Sequence, residues 1–268
     1  MRITYWLMTA VLGMLLTGCA GMQTAPTQEQ KQALAPTGKL RVAFLSAVIY
    51  GMKDSATGEL KGMAVDLGKD LAHRVGVPFY PVVYTGNPAL IAGAESGELD
   101  VALTGIVPER AAVMDFSAPY MELEQGYLVR AGVAIATASD VDKAGVRIGV
   151  AEKSGADLYL SRTLKNATLV RVKNFVELYA LVGSAKAADV HVIATGKPGL
   201  FAAAAKAPGS RVLDGRIFVE PIGMGVPKGR AAAAVYVGKF VEEAKAEGLV
   251  KSAIERAGLR GVVVAPLK

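Results

Sequence analysis

Two histidines, a single cysteine and a scatter of carboxylates are the residues from which this chain would have to build catalytic chemistry. Neither His73 nor His191 belongs to an HxH, HExxH or Cys/His spacing of the kind that holds a transition metal. Cys19 has no second cysteine to pair with, so no intramolecular disulfide forms. There is no Gly-x-Ser-x-Gly elbow and no glycine-rich loop running into Lys-Ser/Thr. Gly223-Met224-Gly225 is a bare glycine pair. Glu122, Glu124 and Glu152 are general acids or bases if they face a cleft, and solvated carboxylates otherwise. Ser154-Gly155 is more suggestive, because it precedes a helical pattern that starts at Ala156. The free N–H groups and positive dipole end of such a helix suit an anionic group, although Ser154 is equally an ordinary N-cap. The set points to binding, with no cofactor and no metal.

Such residues act only where the fold brings them together. From Gly38 onward, short apolar runs alternate with helical patterns. Residues 40–45 read as a strand. In 63–75, Val65, Leu67, Leu71, Ala72 and Val75 fall largely on one side of a helix, which Gly76-Val77-Pro78 stops. Residues 79–84 are β-rich, 88–96 make a short helix and 100–103 another strand. This β-α-β-α-β order predicts a doubly wound parallel sheet. The pattern then restarts, with strands at 146–150, 169–172 and 190–193 and helices at 156–164, 175–185 and 200–205. Extended segments at 217–219 and 222–226 follow, then amphipathic helices at 231–247 and 250–257. The fold class is α/β, built from two similar units. Two open sheets facing each other would form a cleft that binds a solute at the carboxyl ends of the strands.

Composition is consistent with this. Apolar residues make up 52% and charged residues 20% of the 268, enough for a substantial core and unlike a disordered chain. The net charge of +6 is spread out, with no run of four basic residues, which argues against nucleic-acid binding. The positive field is compatible with an anionic solute. At the N-terminus, Met1-Arg2 and an apolar stretch to Leu16 have the length of a signal-peptide core and are short for a membrane span. Leu16-Thr17-Gly18-Cys19 resembles a bacterial lipobox, which implies removal of 1–18 and a lipid on Cys19. Residues 19–37, rich in Gln and small side chains, read as a flexible tether. The folded part would then lie in the periplasm, anchored to a membrane by its lipid.

A family resemblance appears between Gly62 and Tyr120. Gly58-Glu59-Leu60-Lys61-Gly62 leads into Val65-Asp66-Leu67. Ser96-Gly97-Glu98-Leu99-Asp100-Val101 follows, and then Pro108-Glu109-Arg110 with Met114-Asp115-Phe116-Ser117-Ala118-Pro119-Tyr120. These resemble the family-3 extracellular solute-binding proteins, the polar amino-acid-type receptors of ABC importers. The likeness extends over roughly 38–258. It implies a periplasmic-binding-protein-like fold crossed twice by hinges, near 122–129 and 221–226. Lobe one would be 38–125 plus 225–268, and lobe two 126–224. Partners would be a small-molecule solute and an ABC permease, with the protein a monomer. Alternatives on the same fold are a dehydratase-like enzyme and a ligand-sensing lipoprotein.

The resemblance also suggests site residues. Arg110 matches the arginine that grips a solute carboxylate, a task suited to a bidentate guanidinium. Thr104 supplies a hydroxyl and Gly105 a backbone N–H, Ser154 and Gly155 the helix N-terminus of lobe two, and Tyr50 and Tyr120, with Tyr127, aromatic walls. Two departures stand out. The loop from Ala102 to Glu109 is about two residues shorter than the family's and has only Thr104 as a hydroxyl. Amino-acid receptors of the family also carry an aspartate five residues beyond the position of Asp189, where this chain has Ala194. An ammonium buried there would lack its counter-charge, so the expected solute is a small carboxylate or other polar anion rather than an α-amino acid held in the usual way.

Overall fold

The computed structural model describes residues 25–54, 56–184 and 190–268. Cys19, the segment 1–18 and Asp189 lie outside the described residues.

Chain order begins with helix α1 (Gln28–Leu34), strand β1 (Leu40–Leu45), a small hairpin of β2 (Met52–Lys53) and β3 (Leu60–Lys61), α2 (Met63–Val75), β4 (Phe79–Tyr84), α3 (Asn87–Glu95), β5 (Val101–Gly105), α4 (Pro108–Ala111) and β6 (Met114–Phe116). The long strand β7 (Met121–Val129) leads to β8 (Arg147–Ala151), α5 (Gly155–Thr163), β9 (Thr168–Val172), α6 (Phe175–Gly183), β10 (Val192–Gly196), α7 (Lys197–Ala204) and β11 (Arg211–Val212). A second long strand, β12 (Phe218–Pro227), is followed by α8 (Ala231–Ala246), α9 (Leu249–Arg256) and β13 (Val262–Val264).

The strands run in the order β4-β1-β5-β12-β7-β10-β8-β9. At one end β1 pairs in parallel with β4 and β5; at the other β8 pairs in parallel with β9 and β10. The second block thus repeats the strand order of the first, the twofold pattern read from the sequence. Strand β1 shows why it is central: Leu40, Val42, Ala43, Phe44 and Leu45 are all buried, as expected for a parallel strand covered on both faces. Helix α2 buries its apolar stripe, including Val65, Leu67, Leu71, Ala72 and Val75, in the same core.

Each block has its own hydrophobic interior. One gathers side chains from β1, α2, β5, α8 and α9. The other block packs in two clusters, one around Ile148, Val150 and Leu160 and one around Leu178, Ile193 and Leu200. The architecture is two-lobed, and the antiparallel pair of β7 and β12 bridges the lobes. Those strands cover the two hinge crossings expected near 122–129 and 221–226. A third strand joins them: β13 pairs with β7, Val262 opposite Leu123 and Val264 opposite Met121. Just before it, the Arg260 guanidinium sits 3.8 Å over the ring of Phe201 in α7, on the second lobe.

Part of the stretch read as a tether, 19–37, is instead a helix packed on the domain. Thr27 and Gln30 form a capping box at the start of α1, and Leu34 at its end is fully buried in the lobe-one core. A polar composition hid a single apolar anchor. Among the described residues no helix is long and apolar enough to cross a membrane.

Candidate functional site

The carboxyl ends of the parallel strands of both lobes converge on one cavity. Tyr50 comes from the segment after β1, Asn87 from the start of α3 after β4, and Arg110 from α4 after β5. Ser154 and Gly155 follow β8, Phe175 follows β9, and Thr195 and Gly196 end β10. The hinge strands contribute Leu123, Gln125 and Glu220. The cavity enclosed measures about 30 Å³, room for about two water molecules.

Arg110 lies at the centre, 2% exposed. Nη1 donates to the Gly105 carbonyl at 2.9 Å, and Nη2 donates to Asn87 Oδ1 at 2.6 Å and to the Lys153 carbonyl at 3.2 Å. The guanidinium therefore joins the end of β5 to the turn before α5 in the other lobe. Lys153 reaches that position with φ of 53°, a left-handed conformation unusual for a side chain other than glycine. Asn87 makes a second clasp, its Nδ2 donating to the Glu152 carbonyl at 3.1 Å. Among the described residues, Arg110 Nε is buried and has no hydrogen-bond partner, and the same is true of Gln125 Oε1.

The carboxylate nearest Arg110 is Glu220, 5% exposed. Its Oε1 stands 3.6 Å from Arg110 Nη1, and its Oε2 accepts a 2.6 Å bond from Gln125 Nε2. Burial pushes Glu220 above the ordinary carboxylate range, while Arg110 and Gln125 pull the other way. Burial likewise raises the Tyr50 phenol, with a further push from Glu220. Tyr179, behind Thr195, is raised to about 12 by burial.

The residues singled out in the sequence separate into two groups. Arg110, Tyr50, Ser154 and Gly155 line the cavity. Ser154 also caps α5, its Oγ accepting from Asp157 N at 3.2 Å, which is the N-cap reading of that residue. Gly105 and Thr104 stand behind the wall: the Gly105 carbonyl holds Arg110, and Thr104 lies beside Tyr50. Tyr120 is not a wall of the cavity. Its backbone pairs with Ile222 and Ala265, which turns the fully buried ring into the lobe-one core. Tyr127 packs in the second lobe's interior. Glu122 and Glu124 border a separate groove with Arg216, and Glu124 is paired with Lys197 at 2.6 Å. Glu152 is exposed. None of these three carboxylates faces the cavity. His73 is exposed on α2, and His191 Nδ1 accepts from Arg147 N.

The position that the resemblance assigns to the receptors' aspartate, Ala194, does not line the cavity. Ala194 is buried in the second lobe, and its neighbour Thr195 faces the cavity. The cavity residues missing from the sequence reading include Asn87, Gln125, Phe175, Tyr179, Thr195 and Glu220. Of these Glu220 had a visible signal, being a lone carboxylate in the run Ile217-Phe218-Val219-Glu220-Pro221-Ile222.

Two α/β lobes joined by antiparallel hinge strands, with polar side chains converging between them, define a cleft-type solute-binding protein. Residues 40–258 match the bacterial extracellular solute-binding proteins, family 3, and the chain belongs to that family. It is thereby a solute-binding protein of the ABC amino-acid transporter type. The ABC transporter glutamine-binding protein of Bacillus subtilis (strain 168) is 24% identical over 75% of this chain and 73% of its own length. A mutant of ArgBP from T. maritima superposes with a TM-score of 0.73 at 25% identity, covering 85% of this chain and 99% of that one. The ancestral amino acid-binding protein AncCDT-1, a precursor of cyclohexadienyl dehydratase, gives 0.72 at 26%, covering 84% and 98%.

Proposed function

We propose that this protein captures a small, polar, carboxylate-bearing solute between its lobes and hands it to an ABC permease, while a lipid on Cys19 holds it at a membrane in the periplasm. The observation that carries the proposal is the placement of Arg110. A buried guanidinium stands at the mouth of both sheets, within reach of the α5 N-terminus, where a carboxylate would meet positive charge from both lobes. Closing the lobes on such a group would be a hinge motion of β7 and β12, with lobe one taken as 38–125 plus 225–268 and lobe two as 126–224. Relatives described as binding proteins for glutamine and histidine, both carboxylate-bearing solutes, support the solute class. Ala194 and Thr195 put no carboxylate at the end of β10 for an α-ammonium, which leaves Glu220 as the carboxylate of the cavity among the described residues; the reading proposed is a solute held by its acid group.

The test is a thermal-shift screen of amino acids and small carboxylates, followed by calorimetry of each hit on wild type and Arg110→Ala. The expected result is a carboxylate that binds wild type, is recovered unchanged and no longer binds the variant. A solute that binds both equally would remove Arg110 from the site. A second reading has one observation in its favour: Glu220 is a buried carboxyl with a raised proton affinity, the property of a general acid. Recovery of the solute unchanged would count against it.

A further inference from the structure

We infer that Glu220 is a resident carboxylate of the cleft: it stands where a solute's carboxylate would bind, before Arg110 and the start of α5, and a carboxylate-bearing solute must displace it. For the kind of solute the inference rests on the function proposed above. The position of Glu220 itself rests on geometry alone.

The side chain departs from β12 at the point where that strand pairs with Leu123 of β7, so it springs from the hinge rather than from either lobe. Its carboxylate lies between Gly105, at the end of β5, and Gly155, the first residue of α5. A methyl group on Gly155 would come within 2.5 Å of Oε1 and 2.7 Å of Oε2, and one on Gly105 would overlap Oε1. The missing side chains of two glycines, one in each lobe, leave the space that the carboxylate fills. These are the positions, together with Arg110, that the sequence assigns to recognition of an anion.

The contacts of Glu220 are those of a place-holder more than of a finished ion pair. The distance to Arg110 is 3.6 Å, longer than a charge-assisted hydrogen bond. Among the described residues, Arg110 Nε and Gln125 Oε1 beside it remain without partners, and buried polar atoms left in that condition are uncommon. A buried carboxylate held by one good hydrogen bond and one long ion pair is poorly compensated for its desolvation. The space left beside it measures only about 30 Å³, too little for a second carboxyl-bearing molecule while Glu220 stays in place. A carboxylate that replaced it would gain the forked contact with Arg110 that Glu220 does not make.

Acetate tests this without knowledge of the natural solute. Wild type, Glu220→Ala and Glu220→Gln are compared by thermal unfolding with and without sodium acetate, with sodium chloride as the ionic-strength control, and by calorimetry with the carboxylates that bind wild type. The expected result is that acetate raises the unfolding midpoint of Glu220→Ala and leaves wild type unmoved. Any carboxylate that binds wild type should bind the variant at least tenfold more tightly. Equal effects of acetate on the two proteins, or loss of carboxylate binding in Glu220→Ala, would overturn the inference. If Glu220→Ala does not fold, the isosteric Glu220→Gln carries the test: tighter carboxylate binding than wild type supports displacement, and equal or weaker binding refutes it. Rescue of Glu220→Ala by acetate with no carboxylate binding wild type would uphold the role of Glu220 and remove the proposed solute class.

Discussion

Asn87 and Arg110 form the clasp between the lobes: Asn87 Oδ1 accepts from Arg110 Nη2 at 2.6 Å while Nδ2 of the same amide donates to the Glu152 carbonyl at 3.1 Å. Both side chains are buried, so removing Asn87 leaves Arg110 Nη2 with only its 3.2 Å bond to the Lys153 carbonyl and deletes the bond to the Glu152 carbonyl. Asn87→Ala should cost about 1–3 kcal/mol in urea denaturation and increase the radius of gyration seen by small-angle scattering. Unchanged values of both would show that the clasp does not hold the lobes together.

Replacing Arg110 by Lys keeps the charge and loses the fork. A lysine ammonium cannot serve Gly105, Asn87 and Lys153 from the planar geometry of a guanidinium. Solute affinity in calorimetry should drop at least ~10-fold, a loss of about 1.4 kcal/mol. Retention of full affinity by Arg110→Lys would mean that charge alone matters at this position.

Gly155 and Glu220 should be energetically coupled. The Glu220 carboxylate supplies the nearest atoms that a methyl group on Gly155 would meet, so Gly155→Ala alone should destabilise by overpacking, about 1–3 kcal/mol. In the Glu220→Ala background the same change should cost much less. The interaction term of the double-mutant cycle, about 0.5–3 kcal/mol for touching residues, is read from denaturant midpoints. A term near zero would place the carboxylate elsewhere.

The raised proton affinity of Glu220 sets the sign of a pH effect. Its folded-state value lies above the unfolded one, near 4.3 for glutamate, so the native protein keeps a proton that the unfolded chain gives up. The contribution of this residue is most favourable below the unfolded value and declines as pH rises from there through the folded value. Arg110, Tyr50 and Gln125 face it. The stability of wild type relative to Glu220→Gln should therefore fall over that range, as followed by urea midpoints. A relative stability that rises with pH would contradict the assignment.

Leu34 tests the N-terminal helix. It is fully buried in the lobe-one core, so Leu34→Ala should lose about 2–5 kcal/mol, as should a chain starting after residue 37. Wild-type stability in either would restore the view that this stretch is a free tether.

Much of the fold was legible because its elements are locally consistent. The stripe Val65, Leu67, Leu71, Ala72, Val75 and the stop at Gly76 define α2 at its observed limits, and the all-apolar pattern of β1 marks a strand buried on both faces. The repeat of strand order followed from the repeat of patterns. Arg110 and Tyr50 were marked by the family resemblance and Ser154-Gly155 by the helix start after a strand, and all four line the cavity. Leu34 and Glu220 escaped for a shared reason: each is one residue against its local background, an apolar side chain in a polar run and a carboxylate in an apolar strand. What each does depends on partners far away in sequence, α8 and the core for Leu34, Gly155 and Arg110 for Glu220. Tyr120 misled because a position beside a motif does not tell which way the ring turns.

The strap formed by β13 and Arg260 fastens the end of the chain across the pivot, from the backbone of β7 to the ring of Phe201 on the opposite lobe. Any swing that carries α7 outward must pull on this leash. The contact is an exposed-edge cation–π pair of the kind that contributes about 0.5–1 kcal/mol, so Arg260→Ala should shift the balance between open and shut forms by no more than a few-fold without touching the cavity wall.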